Sequence, residues 1–319
     1  MENNIIYHYC TVETFLNIIK NHTLRLSDLC SSNDKAEMKI LLGDLENEIL
    51  NQYRKREDFL KSVINGMDID EAFEFILKRL IYKMDNNINQ MLFGICFSEK
   101  GDLLGQWREY ADKGTGIAIG FNIEWLLKLG NNRSFKFSKV NYDYSKDSTL
   151  IKEHAARIYS EMIQTIENGG TKKLIDESSN LPYMIYLQKE CLFFESVFQK
   201  GKEYKSEEEW RLILDDEETR KDYPEWNIYY NWKNKDLRFG EEEIYSLIPN
   251  GMEFMVKNGR IIPFLDLKID VDKSNLPIEE VIIGPNCKVN ILDIYHLLQF
   301  YGFNGEKIKI EKSKSSYRI

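Results

Sequence analysis

The stretch KSEEEWRLIL, residues 205 to 214, carries acids and a base at a spacing that can do chemistry. Read as a strand, its side chains alternate, so Glu207, Glu209, Arg211 and Ile213 share one face while Trp210, Leu212 and Leu214 take the other. Two carboxylates and a guanidinium then project together. A carboxylate so placed can hold a ribose hydroxyl and favour the positive charge that develops as a glycosidic bond loosens. The same residues suit a solvated Glu-Arg-Glu ladder worth little to stability, and the pattern alone leaves both readings open.

Aromatic rings and an imidazole are the other candidates. Residues 92 to 98 (LFGICFS) read as a buried strand ending in Phe97-Ser98-Glu99, and Asp102 to Ala111 as a helix capped by Asp102. Gly114 and Gly116 suit the tight return into GIAIGF. This unit sets Trp107 and Tyr110 beside the strand end, where a ring either stacks on a flat ligand or packs as core. His8 lies late in a short strand, Ile5 to Tyr9, and can donate a hydrogen bond to a ribose or amide or serve structure alone. Thr11 caps a helix with Val12, Phe15, Leu16 and Ile19 on one face, and LRLS then delivers Ser27 at a strand end. Asp34 and Glu37 have the spacing of a capping box.

The elements that must position these groups read as an α+β fold in a single domain, residues 1 to 319, with helical insertions at about 35–90 and 145–200. In the first insertion Met38, Leu41, Leu42, Leu45 and Ile49 form one stripe, and Phe73, Phe75, Ile76 and Leu80 a second, joined near Asn65-Gly66. Towards the C-terminus, RIIPFLDL (260 to 267) reads as a strand broken by Pro263, and VIIGP as a short buried strand. Asn290 caps a helix reaching Tyr301, Lys307 to Glu311 forms a last strand, and residues 223 to 232 are rich in aromatics.

Composition narrows the function. A net charge of -9 argues against a broad basic face for nucleic acid or anionic membrane, leaving room only for a local cationic groove. Five scattered cysteines without a C-x-x-C pair indicate reduced thiols in a cytosol, and no apolar run approaches the length of a membrane span, so the chain reads as cytoplasmic. No G-x-G-x-x-G, P-loop, G-x-S-x-G or H-E-x-x-H occurs, and the four histidines are far apart, which speaks against a metal site.

YHYC at 7 to 10, LRLS with Asn33-Asp34, CFSE followed by QWREYAD and GIAIGF, EEEWRL, RIIPF and IEEVIIGP resemble, in this order, a widespread bacterial family of unknown function. That family resembles in turn the ADP-ribosyltransferase superfamily, a split β-sheet fold that binds NAD without a Rossmann motif. In its poly(ADP-ribose) polymerase branch a histidine strand leads through a helix to an L-R-[IL] strand, a G-I-x-F strand precedes a helix bearing an aromatic, and a late strand supplies glutamate. The resemblance implies NAD as substrate and no metal. It implies that His8 holds the NAD ribose, that Trp107 or Tyr110 stacks on nicotinamide, and that Glu209 stabilises the transition state while Glu207 orients the acceptor. Tyr9, Ser27, Ser98 and Arg211 are the further implied NAD contacts. Tyr9-Cys10 replaces the polymerases' Gly-Ser, a departure at the nicotinamide-amide clamp. The implied acceptor is a protein, a nucleic acid or a small molecule. A toxin or phage-defence effector restrained by an antitoxin or regulatory protein fits the same resemblance, as do an NAD glycohydrolase and an inactive nucleotide-sensing module.

Overall fold

Strand, helix and strand open the chain as β1 (Ile5–Cys10), α1 (Val12–Asn21) and β2 (Thr23–Asp28). Thr11 caps α1 by accepting from the Thr14 amide at 3.1 Å, and His22, in the left-handed conformation at φ 53°, ends it with its amide on the Ile18 carbonyl. The buried face is Phe15, Ile18 and Ile19; Leu16, expected there, is 41 % exposed. The computed structural model describes residues 4–29, 40–55, 69–86, 92–130, 135–143, 149–168, 195–214, 247–248, 250–257, 259–269 and 277–318. Asp34, Glu37, Met38, Asn65-Gly66 and the aromatic run 223 to 232 lie outside these residues.

The chain divides into two compact units. The second, 32–90 with 141–202, takes in nearly the same two stretches as the helical insertions. Its helices α2 (Ile40–Arg54), α3 (Ile69–Asn86) and α6 (Thr149–Glu167) share a core of Leu41, Leu45, Ile49, Phe73, Ile76, Leu80, Ile158 and Met162. Tyr53 stacks on Phe73 at 3.9 Å between ring centres. Phe75 points outward at 47 % exposure, since the helical period carries it off the stripe of its neighbours.

The first unit is a mixed sheet. Its strands are β1, β2, β3 (Phe93–Ser98), β4 (Ile117–Asn122), β5 (Phe135–Lys139), β6 (Glu209–Leu214), β7 (Met252–Lys257), β8 (Arg260–Lys268), β9 (Ile278–Ile283) and β10 (Lys309–Lys312). They run in the order β10-β9-β4-β1-β3-β2-β8-β7, with β6 laid on β3 and β5 on β6. Among the pairs of named strands only β10 with β9 is parallel. Among the described residues it also holds helices α4 (Leu104–Glu109), α5 (Ile123–Gly130) and α7 (Ile291–Phe300), α7 starting at Asn290 in a capping box with Asp293. β8 runs unbroken through Pro263, which lies past the last β2 pair at Phe264 and opposite Phe254 of β7.

Alternation along the strands sorts the sheet into two faces. Ile6, Cys10, Phe93, Ile95, Phe97, Ile119, Phe121 and Leu212 point into one core together with Phe15 and Ile19 of α1. Tyr7, Tyr9, Ala118 and Ile282 point the other way, under Trp107 and Ala111. One edge of β3 is divided. β1 pairs there only at Tyr7↔Ser98, and β2 at Ser27↔Gly94 and Asp28↔Phe93, while β6 pairs along the other edge from Gly94 to Ser98.

Candidate functional site

Ser98 and Glu209 stand opposite each other on β3 and β6, and Tyr7 stands opposite Ser98 on β1, so one cross-strand row carries all three on the face away from the main core. Ser27 and Arg211 belong to that face too, through Ser27↔Gly94 and Cys96↔Arg211. The Glu209–Arg211 pair is closed and buried: Nε donates to Oε1 at 2.7 Å and Nη2 to Oε2 at 3.0 Å, with side chains 7 % and 8 % exposed. Such bidentate, charge-assisted bonds fix the carboxylate plane.

The approach to Glu209 is set by its neighbours. Glu207 ends a 3-10 turn, Lys202–Glu207, and Glu208 sits at φ 46°, so the strand alternation expected from Glu207 to Ile213 starts only at Glu209. Glu207 therefore does not line up with Glu209 and Arg211 along a strand. Its carbonyl accepts the Ser98 hydroxyl at 2.8 Å, the Lys100 amide donates to Ser98 Oγ at 3.3 Å, and Lys100 Nζ pairs with Glu208 at 2.5 Å. Buried Ser98 thus clamps the end of β3 to the segment leading into β6. Beside it, Glu99 accepts from Lys139 Nζ at 2.6 Å and from Trp210 Nε1 at 2.8 Å. Burial pushes the Glu99 carboxyl up, but these two bonds and the Lys139 and Lys100 charges outweigh it and hold the group below the usual glutamate range.

His8 lies on the opposite face from Glu209. It sits between Ile6 and Cys10, its ring edge-on to Phe97 with centres 6.0 Å apart. Its Nδ1–H donates to the Cys96 carbonyl at 3.0 Å, in the stretch of β3 edge that β1 has left and β2 has not reached. His8, which the resemblance sets on the NAD ribose, and Glu209 thus stand on opposite faces of the sheet. Direct register carries Ser98 to Glu209, whereas His8, one residue along β1 from Tyr7, turns to the face of Phe97.

The aromatics separate as well. Trp107 is fully buried, meets Tyr9 edge-to-face at 4.8 Å, and gives its Nε1–H to Asp102 at 2.7 Å. No ring face is left for a ligand. Tyr110, at the C-terminal end of α4, is 50 % exposed. Asp102 is not the cap of α4, which begins after Leu103 without a side-chain cap; its carboxylate instead takes Trp107, the Ser313 hydroxyl at 2.5 Å and the Lys314 amide at 2.7 Å. Tyr9 is a strut, its hydroxyl donating to the Lys100 carbonyl at 2.7 Å and accepting from the Leu103 amide at 3.0 Å, and burial pushes that hydroxyl's pKa up.

A second polar group on this face was not anticipated. Tyr7 reaches over Gly120 of β4 to donate to Glu280 of β9 at 2.5 Å, and Lys309 of β10 holds the other oxygen at 2.5 Å. Burial, then the Glu280 bond, push the Tyr7 hydroxyl's pKa up. The signals were a glycine inside IAIGFN, which marks a close approach, and an acid inside the apolar strand IEEVII. Among the described residues no group of three His, Cys, Asp or Glu side chains is placed to hold a metal ion, and no helix is long and apolar enough to cross a membrane.

No curated protein and no solved structure matches the chain. Residues 106–212, less than half of it, match a family model described as "Protein of unknown function (DUF2971)", a domain of unknown function that takes in Trp107, Tyr110, Glu209 and Arg211 and leaves out His8.

Proposed function

We propose that the protein acts on NAD in the manner of an ADP-ribosyltransferase, cleaving the bond between nicotinamide and ribose and passing ADP-ribose to an acceptor. The observation that carries this reading is the divided edge of β3, shared by the histidine strand β1 and the LRLS strand β2, with the glutamate strand β6 on the other edge. It supports the reading because the sequence resemblance implies a split sheet whose histidine, LRLS and glutamate strands follow in this chain order. Nicotinamide leaves with the electron pair of the bond, the ribose carries the positive charge, and the acceptor supplies the new electron pair and loses its proton. Glu209 is the group to hold a ribose hydroxyl and balance that charge, Arg211 orients it, and Tyr110 offers the exposed ring. His8, turned to the other face, positions the split by holding the Cys96 carbonyl.

A nucleotide-sensing module without turnover is the second reading, and one observation favours it: Arg211 already occupies both oxygens of Glu209. The purified protein mixed with labelled NAD, with and without cell lysate, tests both. Transfer gives label on lysate components, and Glu209→Gln lowers that rate about a hundredfold or more. Nicotinamide released equally without lysate makes the protein a glycohydrolase. Binding of NAD without release, unchanged in Glu209→Gln, selects the sensing module, and absence of NAD binding overturns the proposal.

A further inference from the structure

The sheet of the first unit ends in β7, which among the described residues pairs with β8 alone. Phe254 and Val256 share one face of β7, and Ile261, opposite Val256 on β8, continues it; they are 55, 77 and 74 % exposed. Single exposed apolar side chains are ordinary, but three side by side on a terminal strand are not. Terminal strands are commonly blunted by proline, bulges, short length or charged residues. Only the last applies to β7, with Glu253 and Lys257 in its sequence: it runs for six residues, contains no proline, and pairs with β8 in unbroken register from Met252↔Leu265 to Lys257↔Arg260.

The sequence of β7, MEFMVK, is also complementary to itself when a second copy is laid antiparallel about Met255. Glu253 then stands opposite Lys257 of the second copy, Phe254 opposite Val256, and Met255 opposite itself, each of the first two pairs occurring twice. Slipping the pairing to the next register that keeps like faces together sets Glu253 or Lys257 against Met255 and loses the charge pairs. We propose that β7 is a dimerisation edge, joining the sheets of two copies of this chain through antiparallel β7–β7 pairing centred on Met255. The occupant is a second copy because the edge carries its own complement in both charge and apolar pattern.

The test is the solution mass of the full-length chain by sedimentation equilibrium across a concentration series. The expected result is a dimer that Val256→Glu returns to monomer. Glu253→Lys and Lys257→Glu singly bring like charges face to face at both symmetric positions and weaken association by about tenfold, while the double variant restores it. Met255→Cys forms an interchain disulfide under mild oxidation and Glu253→Cys does not. Circular dichroism of each variant confirms that it is folded before its mass is read. A parent chain that is monomeric at every concentration overturns the proposal. So does a dimer indifferent to Val256→Glu, or one in which the double charge exchange behaves no better than the single changes.

Discussion

Arg211 grips both oxygens of Glu209 from two positions along the same strand, at 2.7 and 3.0 Å, with neither side chain more than 8 % exposed. A buried pair of this kind is costly to break and cheap to replace whole. Arg211→Met takes the guanidinium away from a buried carboxylate and should cost about 3 to 5 kcal/mol in urea unfolding. The double change Glu209→Leu with Arg211→Met should come back to within about 1 to 2 kcal/mol of the parent or exceed it. A double change that costs the sum of Glu209→Leu and Arg211→Met measured singly would show that the two residues do not act as a unit.

Asp102 ties three segments together by accepting from Trp107, Ser313 and Lys314. Removing the carboxylate leaves the buried indole N–H without its acceptor, a loss of about 1 to 3 kcal/mol, and frees the strap at 313–314. Asp102→Ala should lower the unfolding midpoint accordingly and shift the Trp107 emission to the red. Asp102→Asn, which can still accept at its amide oxygen, should lose less. Equal losses in the two would mean that the indole bond contributes nothing.

Most of this architecture was legible in advance because it rests on local signals. Thr11 and Asn290 cap where their side chains can reach the open amides, and LRLS, GICFS and GIAIGF form strands where apolar runs meet turn residues. The misplaced groups were those whose direction depends on pairing. His8 and Tyr7 are neighbours in sequence, and only the Tyr7↔Ser98 register says which of them shares a face with Glu209. Asp102 had the composition of a cap, but its partner segment lies more than two hundred residues away in the chain, beyond any local pattern. Glu207 fell out of line because Glu208 takes a left-handed backbone that no alternation rule foresees.

Glu99 predicts an acid dependence. Its carboxyl is depressed in the fold by Lys139 and Trp210, against the opposing effect of burial, so its contribution is complete above the unfolded glutamate pKa of about 4.3 and is lost as pH falls through the lower folded value. The stability gap between the parent and Glu99→Gln should therefore be largest near neutrality and shrink below about pH 4. Lys139→Met should narrow the gap at neutral pH. A gap constant from pH 7 to pH 3 would show that the carboxylate charge plays no part.

Gly101 covers the Tyr7 ring so closely that a Cβ built there would fall 2.6 Å from both Tyr7 Cδ1 and Ile282 Cδ1. Tyr7 cannot yield readily, because its hydroxyl is held by Glu280, itself held by Lys309. Gly101→Ala should thus cost about 1 to 3 kcal/mol by overpacking. Tyr7→Val removes the ring and the hydroxyl at once and should cost more than that, through a cavity and an orphaned bond. In the double variant the alanine methyl enters space that the ring has vacated. Its cost should then fall below the sum of the single costs by about 1 kcal/mol or more, the coupling expected of side chains in contact. Strict additivity in a urea double-mutant cycle would mean that the loop at Gly101 moves away from the sheet instead of pressing on Tyr7, and that the Tyr7–Glu280 bond is kept by the strands alone.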